Sequence, residues 1–327
     1  MRAAVAMGIS PHDPLSMLVL RDDWPEPEPP AGHVVVTVAA TTANGHDLAS
    51  LRGIGVRPEQ FPMVLGCDIA GWDPQGNEVV VSGSFGDPDA GFGDETMDPA
   101  RQLVSEAFPG AFGERTIVPR RNIVPKPAWL SMHEAACLNV AWGTAYRMLF
   151  TRAAARPGES VLVQGAGGGV ATAAIVLARA AGLHVVSSSR SPAKRERAIA
   201  IGAHEAIETG GRLPHRVDLV VETVGAATWE HSLKAVRPGG RVVIAGATAG
   251  ALATLDLARV FYRQISIIGS SSVTRSEMIA MLVFMQASGL RPIVDSVFPV
   301  ACIHDAFRRM EHPDLFGKAV IDLAEWH

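Results

Sequence analysis

Residues 160–181 read SVLVQGAGGGVATAAIVLARAA, and the fold turns on them. A short apolar run at 160–164 has the length and β-branched content of a buried strand. Glycines follow at once, and from 170 onward Val170, Ala174, Ile175, Leu177 and Ala178 fall largely on one face of a helix. Glycine permits the tight turn and lets the backbone come close to a pyrophosphate. The helix that begins there offers unpaired N–H groups and partial positive charge. A glycine cluster between a strand and a helix is therefore read as a dinucleotide site, carried by Gly165, Gly167, Gly168, Gly169 and Val170.

Downstream the pattern repeats. Strand-like runs at 184–188, 218–222, 241–245 and 265–268 alternate with helical stretches such as 192–201. That alternation predicts an α/β fold with a doubly wound parallel sheet. Upstream the chain is β-rich: 34–39 (VVVTVA) and 78–81 (EVVV) are bounded by Pro and Gly, and 24–32 (WPEPEPPAG) is a proline-stiffened entry to a strand. The Gly/Asp/Pro-rich segment 84–99 reads as a mobile loop. Residues 299–323 return to strand–helix–strand and need not join the parallel sheet. The order is that of a nucleotide-binding domain, 125–289, inserted into a discontinuous β-rich domain, 1–124 and 290–327.

The residue that closes the second strand selects the nucleotide. An acid there would bond a ribose 2′-hydroxyl. Here it is Ser189, followed by Arg190 and, a turn later, Lys194. A hydroxyl and two cations suit a 2′-phosphate, so the expected cofactor is NADPH. The same residues also fit a plain solvated basic face. S-adenosylmethionine is disfavoured, because its enzymes generally want an acid where Ser189 stands.

Composition narrows the rest. With 48% hydrophobic and 19% charged residues, the 327-residue chain resembles an ordinary globular enzyme with room for two cores. A net charge of -4 speaks against neutralising phosphates, so a nucleic-acid partner is not expected. Of 29 basic residues only Lys126, Lys194, Lys234 and Lys318 are lysines, which makes their places informative. The 3 cysteines, Cys67, Cys137 and Cys302, stand apart and form neither a zinc lobe nor a disulfide framework. No leader and no apolar run of ~18 residues is found, so the expected place is the cytoplasm, without a membrane partner.

The chain resembles the medium-chain dehydrogenase/reductase superfamily, in its zinc-free, quinone-oxidoreductase-like branch. The resemblance runs nearly end to end, through PAGHVVVTV, FPMVLGCDIAG, GAFGERTIV, EAACLNVAWGTAYRML, VLVQGAGGGVATAA, PGGRVVIAGA and FGKAVI. It implies a GroES-like catalytic domain, a Rossmann domain, a small-molecule substrate in the cleft between them, and a homodimer paired through the strand at 265–268. It also implies that Thr144 lies beside the nicotinamide, with Ala245, Gly246, Ala247, Gly269 and Ser270 lining that half. Thr223 and Val224 would flank the adenine, and Lys318 would lie near the cofactor.

The departures bear on chemistry. Zinc-dependent relatives bind their catalytic metal through Cys–His–Cys, and the corresponding positions here are Asn44, Cys67 and Val140. One good ligand remains, so no metal is expected, and Cys67 is read as a packed thiol. Without a Lewis acid, the negative charge that hydride addition builds must be protonated or hydrogen-bonded. His46 falls where zinc relatives place a proton-relaying hydroxyl. It is the candidate acid, or else a polar residue at the rim, while Asn44 and Asn139 are candidate oxyanion donors and Asp47 orients the loop. The expected activity is NADPH-dependent, zinc-independent reduction of a quinone, enone or activated carbonyl. Reduction of aldehydes or ketones, its reversal as an alcohol dehydrogenase with His46 as acid/base, and non-catalytic NADPH binding stay open.

Overall fold

The structure, a computed structural model, describes residues 1–106 and 108–327. It divides into two compact units, Met1–Val140 with Ser272–Leu282 and Val294–His327, and Ala141–Ser271 with Val283–Ile293.

In the first unit the strand His33–Thr42 is the spine. Val34, Val36 and Val38 point inward every second residue and are buried, as a one-sided strand requires. It pairs antiparallel with Arg115–Pro119, Ala70–Trp72 and Lys318–Asp322. Lys318–Asp322 and Val294–Pro299 pair in parallel with each other and join this sheet, not the nucleotide-binding one. Gly71 permits the crossing at Thr37: a Cβ on it would lie 1.9 Å from the Thr37 carbonyl oxygen. The segment expected to be a mobile loop carries local side-chain turns, with Asp94 Oδ1 accepting the Thr96 N–H at 2.9 Å and Asp98 Oδ1 that of Ala100 at 2.8 Å.

The second unit is a 6-stranded parallel sheet in the order Glu205–Ile207, His184–Ser188, Ser160–Val163, Val217–Glu222, Val236–Ile244, Ser266–Gly269. Val161, Leu162 and Val163 are completely buried, the signature of a strand covered on both faces. The helix Gly169–Ala180 covers it through Ala174, Ile175, Leu177 and Ala178. The sequence reading did not single out Glu205–Ile207, a short edge strand without a strong apolar pattern. Among the described residues, no helix is long and apolar enough to cross a membrane.

Candidate active site

Parallel strands in register end level, so whatever follows them is gathered along one edge of the sheet. Val163 pairs with Ser187 and Val221, Glu222 with Ile244, and Ile244 with Gly269. The glycine turn, Ser189 with Arg190, Thr223 with Val224, Ala245 to Ala247, and Ser270 are therefore brought to one rim from five strands. The carboxyl edge is where open α/β sheets bind ligands. Thr144 is not carried by any of these strands; it is buried in the helix Thr144–Tyr146.

Gly165 turns the chain with φ +84°, a conformation that favours glycine. Its N–H donates to Ser188 Oγ, and its carbonyl accepts from Ser187 Oγ, both at 3.3 Å. The helix then starts from Gly168, which has no side chain to cap it, so its first amides meet no side-chain acceptor. That leaves a cradle suited to a phosphate. At the far end of the rim the Ser270 hydroxyl is buried and has no partner among the described residues, an orphan that a bound group would satisfy. Ser189 is buried, Arg190 is exposed, and Arg195 donates to the Ser189 carbonyl at 2.7 Å, tying down the helix Pro192–Ala200. Glu222, which the sequence reading missed, shapes the 223–225 turn. Its buried carboxylate accepts from the amides of Val224 and Gly225 and the hydroxyls of Thr228 and Ser232.

The second cluster lies in the first unit, on the helix Gly45–Leu51 and the strands around it. Asp47 is fully buried and orients the helix start: Oδ2 accepts the Asn44 N–H at 3.0 Å and Oδ1 the Gly66 N–H at 3.1 Å. His46 bridges two partners. Its Nε2 lies 2.7 Å from Glu106 Oε1 and its Nδ1 3.2 Å from Cys67 Sγ. The sulfur is also 3.1 Å from Ser105 Oγ and 3.6 Å from Asp47 Oδ1. The Cys67 sulfur, with Glu106 and Asp47, raises His46 above its ordinary value, and burial opposes them. Burial, with the Asp47 charge, pushes the Cys67 thiol up to about 11, and burial lifts Asp47 to about 6.

The zinc relatives' ligand positions do not fit a metal here. Val140 contributes only its amide, to Asp68 Oδ1 at 2.8 Å. Asn44 Oδ1 already accepts from the Lys318 ammonium, while its Nδ2 donates to Asp68 Oδ2 at 3.0 Å. An ammonium on that oxygen repels a second cation. These contacts also bear on three expectations. The Asn44 amide is engaged inside the unit by Asp68 and Lys318, and Asn139 donates to the Cys67 carbonyl and accepts the Gly83 N–H, both at 2.9 Å. Lys318 holds the Ala43 carbonyl at 3.0 Å and lies 3.8 Å from Asp68, so its charge lies against a buried carboxylate. The physical reason is shared: polar groups shut away from water must pair with one another.

Comparison with known proteins agrees with this geometry. A family model described as zinc-binding dehydrogenase matches residues 169–287. A solved structure described as an NAD-dependent alcohol dehydrogenase superposes with a TM-score of 0.90 at 33% identity, covering 99% of this chain and 100% of that one. The chain belongs to the medium-chain dehydrogenase/reductase superfamily. It is an oxidoreductase that works with a nicotinamide cofactor. The quinone oxidoreductase of Thermus thermophilus, solved alone and with NADPH, is 31% identical, with a TM-score of 0.80 and coverage of 99% and 100%. The acryloyl-coenzyme A reductase of Metallosphaera sedula is 29% identical over 316 residues, 90% of this chain and 94% of that protein.

Within this member of the superfamily, Ser105 and Glu106 are further site residues that the sequence reading overlooked. They lie 38 residues beyond Cys67 and 60 beyond His46, in a loop with no motif of its own. Asp68 was nearer to hand, as the acid directly after Cys67 in GCDIAG.

Proposed function

We propose that this protein is an NADPH-dependent, zinc-independent reductase of a small electrophile: a quinone, an enone such as an enoyl thioester, or an activated carbonyl. The observation that carries the reading is an imidazole, His46, held by Glu106 in a cluster whose metal positions are filled by Asn44 and Val140. Charge that develops on oxygen in hydride addition then needs a proton donor, and His46 is that donor. The amides of Gly167, Gly168, Gly169 and Val170 would hold the pyrophosphate; Ser189, Arg190 and Lys194 the 2′-phosphate; Ser270, with Ala245 to Ala247, the nicotinamide half. When bound, NADPH supplies the hydride. Glu106 fixes the ring of His46, and Asp47 fixes the helix that carries it. The likeness to the Thermus enzyme supports NADPH, and the likeness to the acryloyl-coenzyme A reductase supports an enone.

The test is loss of NADPH absorbance with panels of quinones, enones, enoyl thioesters and aldehydes. His46→Ala is expected to lower turnover while NADPH binding holds. NADPH that binds without reacting with any of these compounds refutes the reductase and leaves a binding protein. Replacing Arg190 and Lys194 by Ala is expected to raise the Kd for NADPH roughly 100- to 10,000-fold more than that for NADH, since each of the two charge-assisted bonds to phosphate is worth about 1.5–3 kcal/mol. An equal effect on both cofactors sinks the 2′-phosphate assignment. The likeness to a structure described as an alcohol dehydrogenase favours the reverse reaction as a second reading, tested by NADP⁺ reduction with alcohols. Ser266–Gly269 is an edge strand, and we propose a homodimer through it, which light scattering checks.

A further inference from the structure

We propose that His46, Asp47 and Cys67 form a binding site for a soft divalent cation such as Zn²⁺, and that filling it switches the reductase off. Each of the three offers a donor atom, and these atoms lie within 4.8 Å of one another. Bonds of about 2.3 Å to sulfur and about 2.0 Å to nitrogen or oxygen, at tetrahedral angles, set ligand atoms roughly 3.3–3.6 Å apart. Here sulfur is 3.2 Å from Nδ1 and 3.6 Å from Oδ1. Two of the three donors, His46 and Asp47, lie outside the positions 44, 67 and 140 that zinc relatives use, so this is a different ligand set.

The surroundings are those of a built metal site. His46 places its other nitrogen on the Glu106 carboxylate at 2.7 Å, the arrangement that orients and strengthens a ligating imidazole. Ser105 Oγ lies 3.1 Å from the sulfur and can donate to it once it is a thiolate. The amides of Asn44 and Gly66 hold the Asp47 carboxylate in place. One thiolate, one imidazole and one carboxylate suit Zn²⁺, Co²⁺ or Cd²⁺ and leave a fourth position open. On binding, bonds form from the metal to sulfur, nitrogen and oxygen. The Cys67 thiol proton and any proton on His46 Nδ1 leave to solvent, and no electron moves. His46 then has no proton to give from that nitrogen. The inhibitory half of the proposal rests on reading His46 as the proton donor, whereas the binding half does not.

The experiment is a Co²⁺ titration of the metal-free full-length protein, followed by absorption. One equivalent is expected to bind with a thiolate-to-cobalt charge-transfer band, which Zn²⁺ displaces. Cys67→Ser is expected to lose that band and Cys137→Ser to keep it, while Glu106→Gln weakens binding roughly 10- to 100-fold. Should Cys67→Ser fail to fold, His46→Asn, checked by circular dichroism, carries the same test. Absence of the band, or its survival in Cys67→Ser, overturns the site. Zn²⁺ is then expected to stop NADPH oxidation over the concentrations that displace Co²⁺. Turnover that persists with the site filled overturns the inhibitory half. A protein with no turnover at all refutes the reductase reading, and the cobalt band still decides the site.

Discussion

Lys318→Met tests whether the lysine belongs to the buried network or to the cofactor. The residue is 93% buried, and its ammonium bonds the Ala43 carbonyl and Asn44 Oδ1 and lies 3.8 Å from the fully buried Asp68. Opposite charges at that distance attract by about 4 kcal/mol at an effective dielectric constant of about 20. Removing one partner of a buried pair costs about 3–5 kcal/mol, because the other charge stays behind. Methionine keeps most of the volume, so packing adds little. The loss is expected as a fall in Tm of roughly 6–20 °C by calorimetry, taking about 2–4 °C per kcal/mol for a unit of this size. Adding Asp68→Asn removes the stranded charge and is expected to restore part of the stability. The Kd for NADPH, measured on the folded variant at low temperature, is expected to change little. An unaltered Tm together with a large rise in that Kd would falsify the network reading, and a double variant no more stable than Lys318→Met would refute its electrostatic basis.

Three further changes bear on the fold and the cofactor rim. Against its partial burial, hydrogen bonds from Ser160 and Arg237 pull the Asp218 carboxyl down to about 2. Its stabilisation is present above its ordinary value of 3.8 and lost as pH falls through about 2. Asp218→Asn is therefore expected to cost roughly 2 kcal/mol in urea unfolding at neutral pH, with the gap closing below about pH 3; a gap independent of pH refutes this. Gly71→Ala drives a Cβ to 1.9 Å from the Thr37 carbonyl, so a loss of about 3 kcal/mol is expected, and an unchanged urea midpoint would disprove the close crossing. Glu222→Gln keeps the shape but weakens the charge-assisted bonds to Val224, Gly225, Thr228 and Ser232. A loss of about 2–3 kcal/mol and weaker NADPH binding are expected, and isothermal calorimetry showing neither contradicts its role in the turn.

Much of the molecule was readable from local signals. Residues 160–181 specify strand, turn and helix because apolar period, glycine freedom and helix start are all properties of neighbours in the chain. Ser189 and Arg190 were singled out as candidates because they hold a fixed place after the second strand. The resemblance to the superfamily gave positions 44, 67 and 140, and with them the mismatch with zinc ligation.

The sequence alone thus determined the α/β fold, the glycine turn and the absence of the relatives' zinc ligands. Only the tertiary structure decided what the polar residues do. Glu106 meets His46 across 60 residues, and Lys318 meets Asn44 across 274, distances over which no periodicity or spacing carries information. Burial then sets the roles: with Asp47 and Asp68 sealed from water, Lys318, Asn44 and Asn139 are drawn inward to satisfy their neighbours, and His46, Asp47 and Cys67 come to share one small polar site.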